Sequence, residues 1–313
     1  EKEGITTVID MGDTFDSRKG IDFAALSWAK NNYYDRLRDM GITIHTIVGN
    51  HTAYYKNTND VNAVDLLLRE YDNVKVYSEV SSIEVGGLNI LLVPWINQEN
   101  HDSSIGLIKK SRAPVCMGHL ELNGFIVTQQ ILMDHGLDMK YFEKFEKTFS
   151  GHFHTRSNNG NIYYLGNPYE IYWNDYDTDR GFHFFDTETL EHTPVNNPYK
   201  IFYKIFYEDT NHQTFDAREY ENKIVKLIVR KKTDTKKFEK FIDKLYASNV
   251  NELKIVENFE FGGYYQSDDF EPFESEDTMS ILNRYIDESE ITLDKSVVQK
   301  IMQDVYQEAC EVV

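Results

Sequence analysis

The sequence repeats one short form four times: an apolar run, a glycine, then a residue able to bind a metal or a proton. The stretches are "TTVIDMGD", "ITIHTIVGNH", "APVCMGHLE" and "KTFSGHFHT". Short apolar runs of this kind form strands buried on both faces. The glycine permits a tight strand-to-loop turn and close backbone approach. A chain built this way must bury its strands in a layered α/β core. Its polar residues then emerge just past strand ends, where open α/β sheets build their sites.

Helical patterns separate these strands. "DFAALSWAKNNYYDRLRDMG" predicts a helix over 22–41, with Phe23, Leu26, Ala29, Tyr33, Leu37 and Met40 on its apolar face and Gly41 as its stop. "VNAVDLLLREY" predicts a second helix, and "NVKVY", "SSIEVGG" and "LNILLVPW" predict strands. At 313 residues the chain suits a main domain with a smaller one attached. The main domain is predicted over 1–199 and a small α/β capping domain over 200–265, followed by an acidic linker at 266–277. A pair of amphipathic helices fills 278–313. Ile281, Leu282, Ile286, Val298, Ile301, Met302 and Val305 form the apolar faces of that pair, which either closes the core or docks on a partner protein.

Composition sets limits rather than answers. Hydrophobic residues at 41% and charged residues at 27% describe an ordinary globular protein, and no apolar run is long enough to cross a bilayer. A net charge of -19 argues against a passive nucleic-acid coat, but not against an enzyme whose carboxylates hold cations. Cys116 and Cys310 lie far apart and have no metal-type spacing, which fits two free thiols in a reducing cytoplasm. The chain opens at Glu1 rather than Met, so a preceding segment is expected.

Set side by side, the strand-end fragments carry Asp13 and Asp16, then Asn50 and His51, then His119, then His152 and His154. A fifth, "YLGNPYE", carries Gly166, Asn167 and Pro168. His152 and His154, two apart, share one side of the chain if the segment is extended. One such fragment is weak evidence, but four in order are hard to explain by chance. Two divalent ions need an anionic bridge, which Asp13 can supply. Imidazoles and an amide oxygen complete shells suited to manganese, iron or zinc rather than calcium. Such a pair acidifies a shared water and clamps the oxygens of an in-line displacement at phosphorus. A further histidine must then protonate or stabilise the leaving oxygen, and His51 beside Asn50 is placed for it. His45, His101, His135, His183, His192 and His212 fall outside this set and read as surface or core residues.

With G-D-x-x-D, G-N-H, G-H and G-H-x-H in that order, the sequence resembles the calcineurin-like metallophosphoesterases. Within them it is similar to the SbcD-type DNA repair nucleases, and most to the recombination-endonuclease small subunits of T-even-like bacteriophages. "HTIVGNH", "GHLELNGF", "SGHFHT" and "RGFHFFDTET" carry that closer likeness, and the resemblance covers most of residues 4 to 190. The resemblance implies a four-layer α/β/β/α sandwich and two divalent metal ions, Mn2+ foremost, with Mg2+, Fe2+ or Zn2+ as alternatives. It implies that Asp13 bridges the ions, that Asn50, His119 and His152 complete one shell, and that His154 binds the other. His51 would be the catalytic histidine, with Asp16 and Thr52 behind the ligands. Arg18 reads either as a phosphate contact or as solvated surface charge, and "LGNPYEIYWND" either resembles the family's substrate-facing loop, with backbone near Gly166 and Asn167 approaching phosphate, or is an ordinary turn around Pro168. The implied activities are 3′→5′ exonuclease and single-strand endonuclease. The implied setting is a homodimer working on DNA with an SbcC-type coiled-coil ATPase, in the cytoplasm of an infected host cell.

Two departures stand out. The family's first motif, Asp-x-His, is not found before Asp13, which predicts one metal site nearly complete and the other depleted. Thr52 stands where the family places an acid after the catalytic histidine, and it lacks the charge to hold His51. Two other readings fit the same residues: a phosphatase or phosphodiesterase for small substrates, and a catalytically silent scaffold subunit.

Overall fold

The computed structural model of the chain describes residues 3–128, 131–230, 234–257, 278–288 and 293–312. It divides into two compact units, one of Glu1–Tyr203 with Asn222–Ile224, the other of Lys204–Glu221 with Val225–Val313. The sequence predicts a border after residue 199; the units divide after Tyr203, and a short return segment rejoins the first. The predicted acidic linker at 266–277 lies outside the described residues.

The first unit is mixed α/β. Strands β1 (Thr7–Asp10), β2 (Thr43–Ile47) and β3 (Val74–Tyr77) form a parallel sheet in the order β1-β2-β3. The β1–β2 connection is helical: α1 (Phe23–Ala29), a π turn (Lys30–Tyr34) and α2 (Asp35–Asp39). Helix α3 (Ala63–Leu68) lies between β2 and β3. Asp22 and Asn62 start α1 and α3 by accepting from Ala25 N and Asp65 N, each at 2.8 Å. The predicted apolar face of residues 22–41 is displaced. Tyr34, not Tyr33, is buried, and Phe23 is 82% exposed. The π turn has more residues per turn than an α-helix and so rotates the phase of the face.

A six-stranded sheet follows. It holds β4 (Ser81–Val85), β5 (Leu88–Val93), β6 (Val115–Gly118), β9 (Lys147–Ser150), β10 (Ser157–Asn159) and β11 (Ile162–Tyr164), in the order β10-β11-β9-β6-β5-β4. Its inner strands β5, β6, β9 and β11 are parallel. Helix α4 (His101–Lys110) joins β5 to β6. The hairpins β7 (Ile126–Thr128) with β8 (Ile131–Leu132), and β12 (Gly181–Phe185) with β13 (His192–Asn196), form separate pairs.

Period-two alternation decides the packing. On β5, Ile90 and Leu92 join Ile47, Val115, Met117 and Phe149, with Ile9 and Met11 against them. Leu91 and Val93 face the other way, onto Ile105 and Ile108 of α4 with Cys116, Phe153 and Tyr164. A third cluster joins Tyr34, Val64 and Leu68 to Ile44 and Val74 of the parallel sheet. Parallel strands end together, so the loops after β1, β2, β5, β6 and β9 gather on one side. Trp95 N, just past β5, donates to Val48 O, just past β2, at 2.8 Å and ties the two sheets at that edge.

The second unit contains a three-stranded sheet, β14 (Phe202–Phe206), β15 (Ile224–Val229) and β16 (Glu252–Glu257), whose first residues belong to the first unit. Helix α5 (Thr235–Ala247) buries Phe238, Phe241 and Leu245. Helices α6 (Thr278–Glu288) and α7 (Lys295–Val312) pack on each other. Ile286 is buried, whereas Val297, Ile301 and Val305, four apart on α7, are each 54% exposed. No helix among the described residues is long and apolar enough to cross a membrane.

Candidate metal centre

Four of the singled-out side chains meet where the strand ends converge. Asp13 Oδ2 lies 3.0 Å from His119 Nε2. Asn50 Oδ1 lies 2.8 Å from the same nitrogen and 3.1 Å from His152 Nδ1. The two ring nitrogens are 3.3 Å apart. Ligand atoms of Asp13, His119 and His152 fall within 4.8 Å of one another, a grouping able to hold a metal ion.

The local backbone explains how these residues come so close. Gly12 adopts φ 95°, and a Cβ there would sit 2.5 Å from His119 Nδ1. A Cβ on Gly49 would collide with the Asp13 carboxylate. Asp13 and His152 themselves have positive φ, 55° and 71°. That conformation is uncommon for side chains other than Gly, Asn and Asp, and strained positions of this kind gather at functional sites. It also corrects one expectation: residues 152–154 are not extended, so His152 and His154 do not share one side of a strand. His152 turns into the group just described. The His154 ring lies parallel to Tyr172 with centroids 5.9 Å apart.

The ring protons are assigned by the partners. His119 Nδ1 is 2.8 Å from the Met11 carbonyl, which can only accept, so Nδ1 carries a hydrogen and Nε2 faces the centre. His152 is reversed: its Nε2 is 3.4 Å from Glu121 Oε2, and its Nδ1 faces the centre. An oxygen from Asp13, an amide oxygen from Asn50 and a nitrogen from each imidazole therefore point at one place, a donor set that suits a borderline or hard divalent cation.

Electrostatics follow the crowding. Burial opposes charge on Asp13, but His119, His51 and His152 outweigh it and hold the carboxyl well below the usual range. Burial would depress His119, yet Asp13 reverses the effect and raises it. Burial holds His152 below the ordinary histidine value. Asp10 is buried and its carboxyl is raised, mainly by desolvation. Asp10 accepts from Gly12 N at 3.1 Å and Thr14 Oγ1 at 2.7 Å, so it fixes the turn that carries Asp13.

His51 is held by the loop after β1. Its N–H donates to Asp13 Oδ1 at 2.8 Å, and its ring Nδ1 lies 2.8 Å from the Asp16 carbonyl and 3.6 Å from the Asp16 carboxylate. Tyr172 Oη donates to that carboxylate at 3.1 Å. Thr52 is fully buried and bonds Gly49 N and O at 3.0 and 3.1 Å. Its hydroxyl therefore braces the turn carrying Asn50. Asn167 is buried, with its amide donating to Asp175 Oδ2 at 3.0 Å and its oxygen accepting from Arg180. Gly166 adopts φ 72°, and a Cβ there would meet the His154 carbonyl at 2.9 Å. Arg180 also donates to that carbonyl and pairs with Asp175 at 3.0 Å. Arg18 is half-buried on the loop after β1.

Sequence reasoning passed over Asp10, Trp95, Glu121, Tyr172, Asp175 and Arg180. Glu121, two residues past His119 in "GHLE", and Asp10, three before Asp13, had a signal in their nearness to motif residues. Trp95, whose ring centroid is 5.3 Å from His152 and 6.1 Å from His119, looked like the end of a buried strand.

Exonuclease subunit 1 of Enterobacteria phage T4 is 36% identical over 289 residues, spanning 91% of this chain and 82% of that protein. The chain belongs to the exonuclease subunit 1 family. No family model matches the chain. The likeness to exonuclease subunit 1 runs through nearly all of the chain, and so extends well beyond the metal-site motifs. The T4 relative is named a subunit, that is, one component of an assembly.

Proposed function

We propose that this protein is the nuclease subunit of an SbcCD-type repair and recombination complex, a metal-dependent hydrolase of DNA phosphodiesters. The observation that carries the reading is the convergence of Asp13, Asn50, His119 and His152, with one ring nitrogen of each imidazole facing inward. Membership in a family whose phage T4 relative is an exonuclease subunit supports the substrate class. Three hydrophobic clusters of the first unit, helix on sheet, sheet on sheet and sheet on helix, support the four-layer α/β/β/α phosphoesterase sandwich.

In this proposal Asp13, Asn50, His119 and His152 would hold one divalent cation, and Asp13 with His154 would hold a second; manganese is the proposed metal. A bound cation of this kind supplies Lewis acidity at phosphorus and a nucleophile at neutral pH. The remaining work falls to the chain. His51 Nδ1–H is committed to the Asp16 carbonyl, so Nε2 is the nitrogen left to give a proton to the departing sugar oxygen. The Asp16 carboxylate, 3.6 Å from that ring, stands in for the missing acid at position 52 as an orienting group. Arg18 and the turn at Gly166 are the proposed phosphate contacts; Asn167 acts on them by bracing that turn. The exposed Val297, Ile301 and Val305 stripe on α7 suits a helical partner such as the coiled coil of an SbcC-type ATPase, with a homodimer as the working unit. A phage-encoded relative fits action inside an infected host cell.

The test uses the full-length protein on end-labelled duplex and single-stranded DNA with Mn2+, Mg2+ or chelator. Manganese-dependent release of nucleotides from 3′ ends is expected. His51→Gln should retain Mn2+ binding while losing about 10²-fold or more in rate. Turnover of bis-p-nitrophenyl phosphate without DNA cleavage would favour the small-substrate reading, and absence of Mn2+ binding would overturn the metal centre.

A further inference from the structure

We infer that Glu121 is the positioning residue that sets the tautomer of His152. The inference rests on the metal-centre reading for its purpose, but its geometry stands on its own. A neutral imidazole carries one N–H, and its other nitrogen is the one that can bind a cation. Around the His152 ring, Nδ1 faces Asn50 Oδ1 at 3.1 Å and His119 Nε2 at 3.3 Å, while Nε2 faces Glu121 Oε2 at 3.4 Å. The other rings packed on it, Phe153 at 4.9 Å and Trp95 at 5.3 Å between centroids, offer Nε2 no comparable acceptor. Of the two tautomers, only the Nε2–H form satisfies a carboxylate and leaves Nδ1 aimed at Asn50 and His119. Without the carboxylate, an Nδ1–H tautomer donating to the Asn50 oxygen becomes the better-bonded form, and that form points a hydrogen at the place where a cation belongs.

The main chain on either side of Glu121 is built to hold this arrangement. Leu120 N donates to Ser150 Oγ at 3.0 Å, and Leu122 N donates to Tyr164 Oη at 3.1 Å. Glu121 O accepts from Leu137 N at 2.9 Å. Gly136, at φ 100°, packs so close that a Cβ there would lie 2.7 Å from Glu121 O. The carboxylate thus leaves a clamped backbone, and it is largely withdrawn from water, with 21% of its side chain exposed against 10% for His152. Carboxylates that orient a ligating histidine typically contribute about 10- to 100-fold in metal affinity.

The decisive measurement reads the proton directly. Long-range 1H–15N correlation spectra of the metal-free, full-length protein should show His152 as the Nε2–H tautomer. In Glu121→Ala it should become a mixture or the Nδ1–H form, and Glu121→Gln, which keeps the size and an acceptor oxygen, should lie between. Calorimetric titration with Mn2+ should give Kd values weakened about 10- to 100-fold for Glu121→Ala and less for Glu121→Gln. A Glu121→Ala protein that keeps the Nε2–H tautomer overturns the inference, whatever its melting temperature, because Glu121 is then only a packing residue. If the wild-type protein binds no Mn2+, the metal-centre reading fails, while the tautomer spectra still decide the role of Glu121.

Discussion

Replacing Gly49 with alanine tests whether the glycine before Asn50 exists to admit Asp13. An added Cβ would lie 2.5 Å from Asp13 N and 2.8 Å from Asp13 Cγ, against ordinary contacts that begin at 3.4 Å. At these two atoms the shortfalls are about 0.6–0.9 Å, and Asp13 Oδ1 is closer still, so a residue already held at φ 55° must retreat by about 1 Å or more. Overpacking of this kind costs roughly 1–3 kcal/mol. At roughly 2–4 °C per kcal/mol for a domain of this size, the melting temperature should fall about 2–12 °C. Asp13 is also the proposed metal bridge, so a displacement approaching 1 Å should lower nuclease rate by about 10²-fold. Gly106→Ala is the control: it lies inside α4, and a Cβ there meets nothing within 4 Å. That substitution should stabilise the protein by about 0.5–1 kcal/mol and leave Mn2+ affinity alone. Thermal melts and Mn2+ calorimetry on both variants make the comparison. Equal melting temperatures and equal affinities in the two would refute the steric reasoning.

Other consequences are separable from the metal. Burial, with Arg156 beside it, lowers the His183 pKa to about 4; as pH falls from 6.5 toward 4 the unfolded chain takes up this proton and the folded chain does not, so stability drops through that window. His183→Gln should flatten that part of a plot of melting temperature against pH. Tyr164 Oη donates to Leu120 O at 2.9 Å and accepts from Leu122 N, so Tyr164→Phe should cost about 1–3 kcal/mol in urea unfolding. Arg180→Met strands the buried Asp175 carboxylate and should cost about 3–5 kcal/mol. Adding Asp175→Asn should recover part of that loss by removing the uncompensated charge.

What the sequence disclosed about the site was its local grammar. An apolar run ending in glycine and a polar residue is a short-range pattern, and parallel pairing aligns such ends without further information. Hence the convergence of Asp13, Asn50, His119 and His152 was legible from order and spacing. The departures arise where one residue's conformation depends on distant neighbours. Periodicity assumed 3.6 residues per turn through residues 30–34, and the π turn moved Tyr34 into the place predicted for Tyr33. Period-two reasoning assumed an extended "GHFH", and φ 71° at His152 sent the two imidazoles to different neighbours. The Asn167, Asp175 and Arg180 network was hidden because charged residues in a loop ordinarily read as solvated, and burial alone reveals them.

Threonine at position 52 is best understood from the same long-range bonds. A residue following the proposed catalytic histidine can steady its ring only if its side chain turns toward it, and the Thr52 hydroxyl is instead closed onto both polar groups of Gly49. The ring is steadied from the loop after β1: Asp13 takes the His51 main-chain N–H, and Asp16 takes the ring N–H. Two bonds from one loop to one residue of the other make the loops a single mechanical piece, so Asp13 and His51 keep their spacing when either loop moves. Tyr172 extends that piece by donating to Asp16 while its ring lies against His154. Asp16, on the loop that also carries the proposed metal bridge, thus stands in for an acid beside the histidine, and in the proposed mechanism this would link proton delivery to the same scaffold as the proposed metal ligands.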